Sequence, residues 1–160
     1  VDRRADPAVE AFERAIADAK DVTHTLCGFE LRWSLAIYRE RGPDALSAEM
    51  SALLDEWQTL TLDDYRRALE RRAALRAMHA GLRSIAKAQV TLSAPGAAPV
   101  GMPTGDPIFA VPCSVLGAPS LSLPVLAVEG MPLGLQLMGY PHADAELFGV
   151  ARWILDEMRR

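Results

Sequence analysis

Cysteine and lysine are scarce in this sequence, and no long apolar run occurs. The two cysteines, Cys27 and Cys113, lie far apart without CxxC or histidine partners at ligand spacing, which argues against a disulfide framework and against a metal site. No apolar stretch approaches the roughly 20 residues of a transmembrane helix, and the first residues do not form a signal peptide. We therefore expect a cytoplasmic protein with no membrane partner.

The sequence also lacks an excess of basic residues. It has 160 residues, with 17 Lys and Arg against 21 Asp and Glu and a formal net charge of -4. Because no global positive field is present, we expect no nucleic-acid partner. The hydrophobic fraction of 50% suits one globular unit. The sequence starts at Val1 rather than at methionine, and we interpret residues 1–160 as part of something longer.

Residues 1–88 have the apolar spacing of helices. The second predicted helix carries Leu26, Trp33 and Ile37 on one side. On the exposed side of the fourth, Asp63 with Arg67 and Arg66 with Glu70 are spaced as i,i+4 ion pairs. Four helices are predicted: one after the Asp6–Pro7 cap, one over 22–39 that stops at Gly42–Pro43, one from near Ser47, and one from the Thr61–Asp64 capping pair to Ile85.

Residues 89–160 have the pattern of strands followed by a C-terminal helix. Strands are predicted at Gln89–Leu92 and around the leucines that alternate with polar or small residues at 121–123 and 133–137, with a turn over 129–132 and a last helix over about 144–158. So few strands make too small a sheet to stand alone. We predict an α/β fold in which a helical first half precedes strands that belong to a larger mixed sheet covered by helices.

Candidate catalytic residues are few, and each has a structural alternative. Ser84 and Lys87 match S-x-x-K, the spacing of an activated serine, but a capping serine at a helix end explains the pair better. His142, Asp144 and Glu146 could be metal ligands, yet an acidic helix start favours a capping role. His24 and His79 are expected to be surface or satisfied core residues. No G-x-S-x-G, phosphate loop, G-x-G-x-x-G or H-E-x-x-H occurs, so we assign no catalytic, metal or cofactor site.

Four ordered blocks resemble the C-terminal part of the amidase signature family: T-G-D-P-I-F at Thr104–Phe109, P-C-S-V-L-G-A-P-S-L-S-L-P at Pro112–Pro124, G-M-P-L-G-L-Q-L-M-G at Gly130–Gly139, and the helix around Glu146–Trp153. The resemblance implies cleavage of a carboxamide C–N bond by a Ser-cisSer-Lys mechanism. The residues of that mechanism lie in an earlier Gly/Ser-rich stretch and a preceding strand, neither of which is in this sequence. The resemblance therefore implies an N-terminal half of the same enzyme as partner and a small amide as substrate.

The resemblance also suggests substrate-binding residues, namely Asp106, Ile108, Phe109 and Cys113, in the segment that closes the family's acyl pocket. Equally, Asp106 could start a short helix, Phe109 could pack in the core, and Cys113 could be a buried thiol. The sequence S-V-L-G-A-P at 114–119 departs from the N-L-A-G-L-P of transamidosome subunits, which favours a free-standing amidase. The alternative is a non-catalytic module that packs against a partner or binds a small ligand. The exposed helical half needs cover, which favours a homodimer.

Overall fold

The computed structural model describes residues 4, 6–42, 44–101 and 105–160. Val1, Pro43 and Thr104, on which parts of the sequence interpretation rest, lie outside the described residues. Six helices and three strands occur in the described ranges: α1 (Pro7–Ala15), α2 (Ala19–Glu40), α3 (Ala48–Gln58), α4 (Leu62–Gly81), β1 (Gln89–Leu92), α5 (Val111–Leu116), β2 (Ser120–Val128), β3 (Met131–Met138) and α6 (Asp144–Glu157). Short 3-10 turns follow α1 and α4, at Ile16–Asp18 and Leu82–Ser84.

The helix starts follow the capping signals of the sequence. The Asp6 carboxylate accepts a hydrogen bond from the backbone N–H of Ala8 at 2.8 Å, and the Ser47 hydroxyl accepts one from Met50 at 3.2 Å. Thr61 and Asp64 form a reciprocal capping box, with backbone-to-side-chain distances of 2.9 and 3.1 Å. The predicted helix starts after Asp6, near Ser47 and at Thr61 are therefore confirmed.

Residues 20–74 form one compact unit. Leu54 and Trp57 of α3 are buried in it, and Gly28 of α2 allows the close approach, because a Cβ there would lie 2.4 Å from the Trp57 ring. The prediction that one apolar side of α2 is buried along its length is wrong for the second half of the helix. Leu26 is buried, but Trp33 and Ile37 are 68% and 56% exposed, since the buried residues of α2 all precede them.

The ion pairs on α4 also differ from the prediction. Arg66 bonds to Asp63 at 3.3 Å, and Arg67 bonds to Asp64, so both pairs are spaced i,i+3 rather than i,i+4. Asp64 is held in place by its capping bonds to Thr61, which puts its carboxylate within reach of Arg67. Both pairs are solvent-exposed and contribute little stability.

The described residues within 1–19 and 75–160 form the second compact unit, which contains the sheet. The three strands are antiparallel in the order β1-β3-β2. Leucines on one face of the sheet pack against α6 in a core of Leu123, Leu137, Leu147 and Ala151. The α/β fold class and the strand at Gln89–Leu92 are confirmed; the larger mixed sheet stays a prediction.

The connections in this unit correct the sequence interpretation in three places. The turn between β2 and β3 is only Glu129 and Gly130, with φ of 52° and 77°, so β3 already begins at Met131 within the predicted turn. Helix α5 is not predicted, because six residues that include a proline show no period. Helix α6 is capped by Ala143 without a side-chain hydrogen bond, and Asp144 is therefore its first residue rather than its cap.

Candidate functional site

The sheet has a polar face opposite the leucine face that α6 covers. Thr91 of β1 and Ser122 of β2 both pair with Gln136 of the central strand β3, so the three side chains share one face. Ser93, just beyond β1, donates its backbone N–H to the carbonyl of Gly134 at 2.9 Å. We call Thr91, Ser93, Ser122 and Gln136 the polar sheet face.

Gln136 joins this face to the segment that contains the predicted site. Its side chain is only 8% exposed, and its Nε2 donates to the carbonyl of Phe109 at 2.7 Å and to the hydroxyl of Thr91 at 3.1 Å. A buried amide that keeps both donors occupied fixes its partners in position. The backbone of residue 109 is therefore anchored to the middle of the sheet.

Ser93 and Ser122 meet above Gly134. Their hydroxyl oxygens are 2.7 Å apart, although the two serines lie on the two outer strands of the sheet or just beyond them. A Cβ at position 134 would lie 2.1 Å from Oγ of Ser122 and 2.4 Å from Oγ of Ser93. Glycine is thus required for the two hydroxyls to bond across the central strand.

The structure brings three of the four predicted substrate-binding residues together in the anchored segment. The Asp106 carboxylate accepts a hydrogen bond from the backbone N–H of Ile108 at 3.1 Å, which shapes the turn. Asp106 and Ile108 are exposed, and Phe109 is half-buried. The helix that Asp106 could start begins only at Val111. The Asp106 and Ile108 side chains reach the surface, whereas the Phe109 carbonyl is bonded to Gln136.

Cys113 lies apart from that exposed group. It is on α5 and only 7% exposed, and burial raises the pKa of its thiol, a rise that a hydrogen bond with Ser120 partly offsets. A raised pKa keeps the sulfur protonated and weakly nucleophilic. In this conformation Cys113 has the surroundings of a packing residue.

The polar sheet face shows no activated nucleophile in the described residues. Serine attack requires a neighbouring base, and the hydroxyls of Ser93 and Ser122 bond to each other. Ser84, the other candidate nucleophile, is likewise bonded to no base in the described part of the chain. Ser84 donates to the carbonyl of Gly81 at 3.0 Å, and Lys87 lies beyond the helix end, so the two are not one helical turn apart.

The histidines and acidic residues that were considered as metal ligands or catalytic groups do not form a metal site in the described residues. Glu146 pairs with Arg83 at 3.2 Å, and no group of three or more potential ligands in the described ranges could hold a metal ion. His24 accepts a hydrogen bond from the Trp57 indole at 3.0 Å. His79 is 1% exposed, and its Nε2 has no hydrogen-bond partner. It is therefore a core residue, but its hydrogen bonding is not satisfied, contrary to the expectation of a satisfied core histidine.

Sequence reasoning missed the residues that organise this site. Gln136, Ser93, Ser122 and Gly134 stand in or beside the recognised blocks, but they look like ordinary polar or small positions of alternating strands. The available signal was that polar positions in all three strands fall on one face once the strands are paired. Finding it required the register, which the sequence does not supply.

Known proteins resemble this chain both in sequence and in fold, although no family model matches it. It is 34% identical over 103 residues to a glutamyl-tRNA(Gln) amidotransferase chain of Symbiobacterium thermophilum, a match that covers 59% of this chain and 18% of that protein. A solved amidase superposes with a TM-score of 0.75 at 26% identity, over 87% of this chain and 35% of the other.

A second solved structure supports the fold alone. It is a bacterial aryl acylamidase of the amidase signature enzymes, with a TM-score of 0.64 at 14% identity over 81% of this chain and 31% of the other. The chain therefore spans 18% of the curated relative's length and about a third of each solved chain. In the described residues, no helix is both long and apolar enough to cross a bilayer. In sequence and in fold, the chain is thus similar to amidases and to glutamyl-tRNA(Gln) amidotransferase subunits over part of their length.

Proposed function

We propose that this chain is the C-terminal part of an amide hydrolase and forms one wall of its substrate site. The relatives it matches are amidases and amidotransferase subunits of much greater length, which supports a catalytic partner in the rest of the same polypeptide. In this proposal a cytoplasmic enzyme acts on a small amide without a cofactor.

The hydrogen bond from Gln136 to the Phe109 carbonyl carries the proposal. It holds an exposed turn, with Asp106 and Ile108 at its surface, beside a face of hydroxyl groups. Such a surface offers apolar contact from Ile108 and Phe109 and polar contact from Asp106 and Ser122. An amide substrate presents the matching groups, an apolar acyl chain and a polar carboxamide.

The proposed chemistry leaves bond cleavage to the other part of the enzyme. A serine there attacks the carbonyl carbon, the C–N bond breaks, and the amine leaves with a proton delivered through the lysine and the bridging serine. Water then hydrolyses the acyl ester and regenerates the serine. The residues of this chain orient the acyl group, so changes in them should alter selectivity more than the rate of proton transfer.

The test is a substrate series with the longer polypeptide that contains this chain. Phe109→Ala should change the ratio of kcat/KM between short and long acyl amides by roughly tenfold, the effect of losing one apolar contact in a pocket. Phe148→Ala is the matched control, because Phe148 is an exposed phenylalanine on α6 and should leave the ratio unchanged. An unchanged ratio with a large loss of stability would reduce Phe109 to a core residue.

The subfamily is tested with the same polypeptide. We propose a free-standing amidase, supported by the Ser114–Pro119 sequence and by the likeness to a solved amidase. The curated sequence relatives, however, are subunits of glutamyl-tRNA(Gln) amidotransferases. Hydrolysis of simple amides without any added protein supports the amidase, whereas activity only with further subunits and glutamyl-tRNA supports the amidotransferase.

The second candidate is a non-catalytic module that binds a partner or a small ligand. It is favoured by the Ser93–Ser122 pair, whose hydroxyls bond to each other rather than to a base. A homodimer belongs to either candidate, because α2 exposes Trp33 and Ile37. A longer polypeptide that folds but hydrolyses no amide would favour this second candidate.

A further inference from the structure

Gln136 and His79 are the buried polar side chains of the described residues. A buried amide is unfavourable unless its groups are hydrogen-bonded, and the Nε2 of Gln136 donates to the Phe109 carbonyl at 2.7 Å and to the Thr91 hydroxyl at 3.1 Å. The first bond leaves the sheet and reaches residues 106–110, which we call the site turn. Backbone pairing of β3 does not need an amide at this position, so we look for its role in the site turn.

The site turn is closed by its own backbone hydrogen bonds. The Pro107 carbonyl accepts from the N–H of Ala110 at 2.8 Å and from that of Val111, the first residue of α5, at 2.9 Å. A turn closed in this way keeps its shape as a unit, and its position over the sheet then depends on bonds to other elements. The bond from Gln136 to the Phe109 carbonyl is such a bond.

Thr91 orients the Gln136 amide. The Thr91 hydroxyl donates to the carbonyl of Leu92 at 3.1 Å and accepts from Nε2 of Gln136. Because its only hydrogen is directed at Leu92, the hydroxyl can act towards Gln136 only as an acceptor, which keeps the amide nitrogen on the side of the Phe109 carbonyl. Strands β1 and β3 therefore hold the site turn together.

We propose that Gln136 is a positioning residue that sets the acyl selectivity of the site by fixing the site turn. The proposal rests on the proposed function, since it assumes that the turn lies against the acyl group of an amide. Gln136 acts through Phe109, whose side chain is half-buried, and through its exposed neighbour Ile108. When the bond to the Phe109 carbonyl is lost, both side chains move with the turn and discriminate less between acyl chains.

The first experiment measures the site turn in the isotope-labelled 160-residue chain by NMR. Gln136→Met keeps an unbranched side chain of similar length but has no hydrogen-bond donor. The backbone amide of Ala110 should shift and should exchange with solvent roughly tenfold faster, the effect of one hydrogen bond. Thr91→Val, which removes the orienting acceptor, should move the same signal by less. Gln58→Met on α3 is the matched control, because Gln58 is exposed; it should leave that signal unchanged.

The second experiment measures selectivity in the longer polypeptide that contains this chain. Gln136→Met should move the ratio of kcat/KM between short and long acyl amides towards one by roughly tenfold. The change should lie mainly in KM, because Gln136 does not touch the reacting atoms. Leu147→Val controls for stability, since Leu147 is in the core on the opposite face of the sheet. It should lower the unfolding temperature and leave the ratio unchanged.

The possible results separate this proposal from the proposed function. If amides are hydrolysed but Gln136→Met and Thr91→Val keep the wild-type ratio, the positioning role is overturned and the proposed function stands. An equal change of the ratio in Leu147→Val also overturns it, because Gln136 would then act only through stability. A longer polypeptide that folds but hydrolyses no amide overturns both. Should Gln136→Met fail to fold, Thr91→Val decides.

Discussion

At the scale of single residues, Gly134 controls the polar sheet face. The Ser93 and Ser122 hydroxyls occupy the space that a side chain at position 134 would need. Gly134→Ala should therefore separate the two serines and destabilise the chain by about 1–3 kcal/mol, the usual cost of overpacking. Urea unfolding measures the effect.

A matched glycine provides the control. Gly149 lies within α6, and a Cβ there would meet nothing within 4 Å. Gly149→Ala should be neutral or stabilise by about 0.5–1 kcal/mol, because alanine is the better helix former. If Gly134→Ala is as stable as Gly149→Ala, the hydroxyl pair does not restrict the strand.

His79 makes the stability of the chain depend on pH. Its ring lies between Phe12 and Tyr140, with centroid distances of 5.8 and 4.7 Å, and burial lowers its pKa. In the unfolded chain the histidine pKa is about 6.5. Below about pH 6.5, the unfolded chain therefore binds more protons at this position than the folded chain does. Stability should be complete above about pH 6.5 and should fall as the pH drops toward the lowered folded-state pKa.

The variant His79→Phe removes this titration and keeps an aromatic ring in the stack. Its stability should change less than that of the wild type between about pH 7.5 and 5. His142→Asn, which replaces an exposed histidine at a positive φ of 62° with a residue that tolerates this conformation, should keep the wild-type dependence. Identical pH profiles for wild type and His79→Phe would contradict the assignment.

At the scale of elements, the two-residue turn between β2 and β3 sets the register of the sheet. Glu129 and Gly130 both have positive φ, the conformation of a type I′ hairpin, which favours Asn-Gly. Glu129→Asn should therefore stabilise the chain by roughly 0.5 kcal/mol. Glu129→Gln removes the same charge without the left-handed preference, and thermal unfolding should show no comparable gain for it.

The elements that the sequence predicts well are those with local signals. Asp6, Ser47 and Thr61 mark helix starts because each side chain caps its own helix, and four alternating residues suffice for β1. Helix α5 has no such signal, since its Cys113, Val115 and Leu116 are buried by tertiary packing. For the same reason, the exposure of Trp33 could not be predicted from a helical period that also includes the buried Leu26.

At the scale of the whole molecule, the likeness to amidases could be predicted from the sequence, but the polar sheet face could not. The ordered Gly and Pro blocks are contiguous in sequence, and so they can be recognised without a structure. The site depends on Gln136 reaching Phe109, 27 residues away in sequence. Only the strand register and the placement of the 105–110 segment bring them together, and both are set by non-local packing.

The whole-molecule prediction concerns what the chain does alone. The described residues contain hydroxyl groups on the polar sheet face but no serine paired with a base, so the 160-residue chain should hydrolyse simple amides no faster than buffer does. The longer polypeptide should hydrolyse them and should react with a serine-directed fluorophosphonate at a residue outside positions 1–160. Mass spectrometry of the labelled protein locates that residue. Labelling of Ser84, Ser93 or Ser122 instead would place the nucleophile in this chain and overturn the assignment of a substrate-binding wall.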